Sequence, residues 1–162
     1  MQVSGAIHQF PKEIKLLISV FIITLSIGFY SSISFVDHNT ESNPRGIEER
    51  YLGNEADENA AIMKFKRNKS EMMTLFHNHV LSLSVIFFIL ALILSTTSIN
   101  MGLKKFLMIE PFASIILTFG GIYIMWLGHT WLKYVIMFSG ILMTLTYTAS
   151  VLIILKQLFS KK

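Results

Sequence analysis

The chain has 162 residues, of which 52% are hydrophobic and only 15% are Asp, Glu, Lys or Arg, a balance that places it with membrane proteins rather than soluble domains. It contains no cysteine, which excludes disulfide frameworks, thiol redox relays, Cys-ligated zinc, iron–sulfur clusters and Cys nucleophiles. The net charge of +4 is carried mostly beside hydrophobic runs, a pattern that sets membrane orientation and gives no basis for a nucleic-acid partner.

A hydrocarbon core of about 30 Å needs about 20 mainly apolar residues in a helix. The first such run is 14–36, with Lys15 near its start. Lys12 and Lys15 ahead of an apolar stretch resemble a signal peptide. The stretch is longer than a signal core, however, and no A-x-A-like site follows, so it reads as a retained helix. A polar segment, 37–72, comes next and holds eight of the ten acidic residues. Within it, residues 46–55 place two glycines around acids, an Arg and a Tyr, a composition suited to a folded loop with a turn at each end. Residues 55–72 are rich in helix formers and could continue into the next span.

The second run is 73–97, joined by residues 98–105 to the third, 106–127, which contains Glu110. Residues 128–130 form a turn too short for anything but an antiparallel hairpin into the fourth run, 131–155. Backbone polar groups at membrane depth must pair within the chain, so each run is a helix. The expected fold is all-α: one antiparallel four-helix transmembrane bundle with a longer polar segment between helices 1 and 2.

Even threading puts both termini and the second connection on one side, with Lys12, Lys15, Lys104, Lys105, Lys156, Lys161 and Lys162 and the single acid Glu13. The other side also has seven cations, but eight acids accompany them. Cytoplasmic termini are the preferred orientation, and Trp126 and Trp131 flank the opposite turn as interfacial anchors would.

The same threading gathers His38, His77, His79 and His129 at one face. Imidazoles from different helices could ligate haem b or a transition metal, or relay protons to a quinone. His77 and His79 diverge by roughly 200° on a helix, so both cannot face one ion. The plain explanation is that all four are interfacial, and the expected cofactor is none.

Glu110 invites two readings. With Pro111 in a first turn, where no N–H is needed, it could open a helix and sit at the positive dipole end. Alternatively it is an intramembrane carboxylate, and hence a functional residue. Gly140, Thr144 and Thr148 recur every four residues in the fourth run. Gly120 and Gly121 in the third, and Ser26 and Gly28 in the first, likewise suit close helix packing within the bundle or against another subunit. Glu48, Glu49, Arg50, Tyr51 and Glu55 form a charged surface suited to solvent or a partner; they lack the spacing of an EF-hand calcium loop.

Residues 46–55, Lys64-Phe65-Lys66, His77-Asn78-His79 with Leu81, Ser82, Ile86, Phe87 and Phe88, and Glu110-Pro111-Phe112 together resemble an uncharacterised family of small bacterial four-span membrane proteins with an H-x-H motif opening the second helix. The resemblance implies a bacterial inner-membrane location and carries no established activity. The layout is also loosely similar to four-helix cytochrome b subunits, whose histidines lie deeper. The expected function is a non-enzymatic accessory or structural subunit that contacts the lipid bilayer and other membrane subunits. The alternatives are a haem- or metal-binding redox subunit, and a small carrier built on Glu110, against which the lack of an inverted repeat or broken helix argues.

Overall fold

The structure, a computed structural model, describes residues 6–160. A 3-10 turn, Ala6–Gln9, precedes α1 (Lys12–Thr40). There follow α2 (Pro44–Leu52), α3 (Lys69–Ser95), α4 (Met101–Ile115), a π-helical turn (Ile116–Gly120), α5 (Gly121–Trp126) and α6 (Leu132–Phe159). α4, the π turn and α5 make one rod, so four helices are long and apolar enough to cross a membrane: α1, α3, the α4–α5 rod and α6. No strand occurs among the described residues. The chain forms the expected all-helical four-span bundle.

Helix ends are set by polar caps that hydropathy does not register. α3 starts ahead of its apolar run because Asn68 and Glu71 form a reciprocal capping box: the Asn68 side chain accepts from Glu71 N (2.9 Å) and the Glu71 carboxylate from Asn68 N (3.1 Å). The expected helix over 55–72 is absent until Lys69. The helix of the polar segment lies upstream, where Asn43 accepts from Gly46 N at 2.7 Å and Pro44 occupies the first turn. α4 likewise starts early, at Met101, capped by Asn100 accepting from Gly102 N at 2.8 Å. Lys104, expected in a loop, is therefore helical and buried, donating to Ser95 O (3.2 Å) and Thr97 O (2.5 Å). It satisfies carbonyls that the end of α3 leaves without helical donors.

The α4–α5 rod and α6 form the centre. Of their most apolar windows 44% and 39% is buried, against 17% for α3 and 11% for α1. In lipid, apolar side chains gain little by hiding, so close packing and interhelical hydrogen bonds hold the helices together. A short seam joins the middle of α1 to α6. Ser26 Oγ and Tyr147 Oη lie 3.0 Å apart, Tyr30 Oη and Thr148 Oγ1 2.9 Å apart, and Phe29 stacks on Tyr147 at 3.8 Å. Phe87 of α3 meets both Phe29 and Tyr147 edge-on.

Ile7 N donates to Thr96 O at 3.2 Å, and Ser98 N to Gln157 Oε1 at 2.7 Å. The N-terminal turn, the α3–α4 connection and the end of α6 thus share one end of the bundle. Lys161 and Lys162 lie outside the described residues. At the opposite end, α2 and residues 53–68 build a cap. Glu48 accepts from Lys133 Nζ of α6 at 2.5 Å, and Trp126 Nε1 donates to Arg67 O at 2.7 Å. Main-chain bonds Asn54 N to Lys64 O (2.9 Å) and Arg67 N to Tyr51 O (3.1 Å) fix the returning half of this loop. Gly53, at φ +82°, sits where the two segments cross, and a Cβ there would come within 2.7 Å of Lys66 N.

Candidate functional site

The polar interior lies between the rod and α6. Glu110 is the tenth residue of α4, about 14 Å along the helix, and is only 8% exposed. Pro111 therefore lies inside the helix, where its missing N–H leaves the Leu107 carbonyl without its helical donor, and the reading in which Pro111 opens a helix does not describe this chain. Glu110 Oε1 accepts from Ser114 Oγ. Its Oε2 is buried with no hydrogen-bond partner among the described residues. One turn beyond Ser114, Thr118 Oγ1 and Ser139 Oγ of α6 are 2.7 Å apart. Glu110, Ser114 and Thr118 thus form one line on the rod. Counting two turns back from the Thr118–Ser139 pair on both antiparallel helices sets Glu110 about level with the fully buried Tyr147.

Ser139, Thr146 and Ser150 are also buried in α6, but Ser139 and Thr146 donate to their own helix carbonyls, at 2.8 Å to Val135 O and 3.0 Å to Leu142 O. The Glu110 carboxyl is the group with unused capacity here. The π turn follows directly, and widened turns of this kind recur at functional sites. Because a buried polar group is costly compared with a well-packed apolar one, Glu110→Met should raise thermal stability in detergent by about 1–2 kcal/mol. A clear loss of stability would instead assign the carboxyl a structural role.

The histidines share a face of the bundle but not a depth. His38 is exposed in the last turn of α1. His77 and His79 sit two to three turns inside α3, because that helix begins at Lys69. The His79 ring stacks on Phe119 at 4.7 Å, and its Nδ1 lies 2.9 Å from Leu75 O. His129 lies beyond the end of α5, and helix rise from Phe119 to Trp126 alone is about 10 Å. His79 and His129 therefore do not meet at one level. No group of three or more His, Asp or Glu among the described residues has metal-holding geometry.

The small residues divide by use. An added Cβ on Gly121 would meet Ile136 Cγ1 at 3.0 Å, so this glycine carries the rod's close approach to α6. Gly120 has only Ile116 at the edge of contact, 4.0 Å away in its own chain segment. Gly28 and Gly140 have nothing within 4 Å. Thr144 donates to Gly140 O and Thr148 to Thr144 O, at 2.9 and 2.7 Å, and Thr148 also meets Tyr30.

In the cap, Gly46 stands inside α2 rather than at a turn, while Gly53 does end the helix. Much of the charged surface is occupied internally: Glu48 by Lys133, and Glu49 by Arg45 (2.8 Å) and Lys64 (3.4 Å). Tyr51 is half-buried, Arg50 lies over the Phe35 ring, and Glu55 is exposed. Arg45 above all, with Lys64, holds the Glu49 carboxyl below its ordinary value. Since the folded value is depressed, these pairs stabilise the cap above the ordinary carboxylate range and that stabilisation disappears as pH falls through the folded value. Hydrogen-exchange protection factors in residues 53–68, referred to the intrinsic rate at each pH, should fall as pH drops below the ordinary carboxylate range. Glu49→Gln should flatten that dependence, and an unchanged profile would remove Glu49 as its source.

A family model for a transmembrane helical domain, Aq_1264_TM, matches residues 41–162, about three quarters of the chain. The chain belongs to this family. The Aq_1264_TM match begins at Glu41, whose left-handed backbone (φ 52°) ends α1. It takes in the cap, α3, the rod and α6, and leaves the sparsely buried α1 outside. No curated protein and no solved structure matches the chain.

The histidine face, the acidic surface and the small-residue runs were all visible in the sequence. The depth of Glu110 was not, although Ser114 and Thr118 four and eight residues after it mark a polar helical line. Lys104 was missed for want of any local signal, because its acceptors belong to the preceding helix.

Proposed function

We propose that this small integral membrane protein is a non-enzymatic accessory subunit of a bacterial inner-membrane complex, docked through the membrane-embedded faces of α1 and α6. The observation that carries the reading is the open space at Gly28 and Gly140. Both glycines lie in membrane-spanning helices beside further small residues, Ser31 and Ser32 in α1 and Thr144 in α6. A glycine facing lipid contributes no packing, whereas one facing another helix lets the backbones approach. Gly121 against Ile136 is the filled version of the same device within this chain. α1 adds to the case: it stands outside the family-matched region, and 11% of its apolar window is buried. Lys12, Lys15, Lys104, Lys105 and Lys156 at the terminal end, with Glu13, favour cytoplasmic termini.

Mild detergent extraction followed by native mass measurement tests this reading. The parent chain should migrate in a complex with a different subunit. Gly140→Leu, whose Cβ would meet nothing within 4 Å in the lone bundle, should release the chain as a monomer of unchanged thermal stability. A parent protein found only as a monomer or a homodimer would overturn the proposal.

A further inference from the structure

Between the last turn of α1, the cap loop and the first turn of α3 lies an open cleft of about 630 Å³. Four cations line it: Arg50, Lys64, Lys66 and Arg67. Two of them are neutralised, Lys64 by Glu49 and Arg67 by Glu71, both at 3.4 Å. Arg50 and Lys66 have no carboxylate partner among the described residues. They are held instead over aromatic rings, Arg50 5.9 Å from the Phe35 centroid and Lys66 5.2 Å from that of Trp126. A ring positions a cation without cancelling its charge. The acids on the lining are Glu41 and Glu71, and the latter is already engaged by Arg67 and Asn68. Arg50 and Lys66 against the one remaining acid, Glu41, leave the cleft net positive, with His38 on its wall.

Its rim is apolar. Ile62 and Phe65 are 72% and 71% exposed, alternating with Lys64, Lys66 and Arg67, and Phe35 of α1 is 61% exposed close by. Large apolar side chains interleaved with Lys and Arg at the end of a membrane helix suit the boundary between headgroups and acyl chains, with the cations at phosphate level.

We propose that this cleft binds the phosphate of an anionic membrane phospholipid, with Arg50 and Lys66 as the principal contacts and Ile62 and Phe65 seated among the acyl chains. A free phosphate ion shares the headgroup chemistry but has no use for the apolar rim.

Native mass spectrometry of the intact chain, titrated with phosphatidylglycerol and separately with phosphatidylcholine, tests the proposal. Phosphatidylglycerol should be retained selectively, and an excess of inorganic phosphate should fail to displace it. Arg50→Gln with Lys66→Gln should weaken retention roughly 20–30-fold, since each cation at an anionic surface contributes about a factor of five. Arg50→Lys with Lys66→Arg should keep it, as should Arg45→Gln, whose cation lies outside the cleft. Equal retention of the two lipids by the parent chain would overturn the proposal without recourse to any variant. So would full displacement by inorganic phosphate, or a double Gln variant, folded by its thermal transition, that binds as the parent does.

Discussion

Gly46→Ala should unseat the cap. A Cβ at this position would lie 1.8 Å from the Thr40 carbonyl oxygen and 2.6 Å from its carbon. Both atoms are backbone, so no rotamer change relieves the collision. α2 cannot slide aside freely, because the left-handed pair Glu41 and Ser42 (φ 52° and 46°) fixes its entry and Glu48 ties it to Lys133. The helix must lift from the end of α1, and the expected loss is about 3 kcal/mol or more, the range of severe overpacking. Hydrogen exchange should show protection lost over residues 44–67 while α6 stays protected. A variant as protected as the parent would mean that α2 does not rest on Thr40.

Tyr147→Ala should loosen the middle of α1 with comparable severity. Tyr147 is fully buried, stacked on Phe29 and paired with Ser26. Truncating a buried aromatic of this size costs about 3–5 kcal/mol. Tyr147→Phe keeps the stack and loses one interhelical hydrogen bond, worth about 0.6 kcal/mol in membrane bundles. The chain has no cysteine of its own, so a Tyr30→Cys, Thr148→Cys pair joined by a short bis-maleimide crosslinker reports the α1–α6 seam cleanly. Crosslink yield across that pair should collapse with Tyr147→Ala and persist with Tyr147→Phe. Equal yields in both would place the hold on α1 elsewhere. Outside this seam α1 also buries Ile18, Ser19 and Ile22 towards its start and Thr40 against α2, so the loss should loosen the middle of α1 and leave its ends in place.

These two residues also show where sequence reading stops. The four spans follow from apolar runs, and those runs are long enough that only helices can form them. The helix ends do not follow, because Asn43, Asn68 and Asn100 start helices among polar residues and Lys104 is buried by acceptors on another helix. The depth of Glu110 was obscured for the same reason. Pro111 suits a first turn, and nothing local reveals that the helix already runs from Met101. The histidine face was legible from topology, but its spread in depth depends on α3 starting at Lys69, which the capping box decides. Gly46 reads as a turn residue until Thr40 is known to lie against it. The cleft was legible only as charge, since the pairing that leaves Arg50 and Lys66 without a carboxylate partner is tertiary.

The docking reading depends on another subunit's helix filling the space beside Gly28 and Gly140. A photo-crosslinking residue at Ser32, exposed on the same face of α1, probes that space in intact membranes. The expected product is an adduct between this chain and a second, different protein, lost when Gly140→Leu is added. Adducts with lipid alone, unchanged by Gly140→Leu, would contradict it.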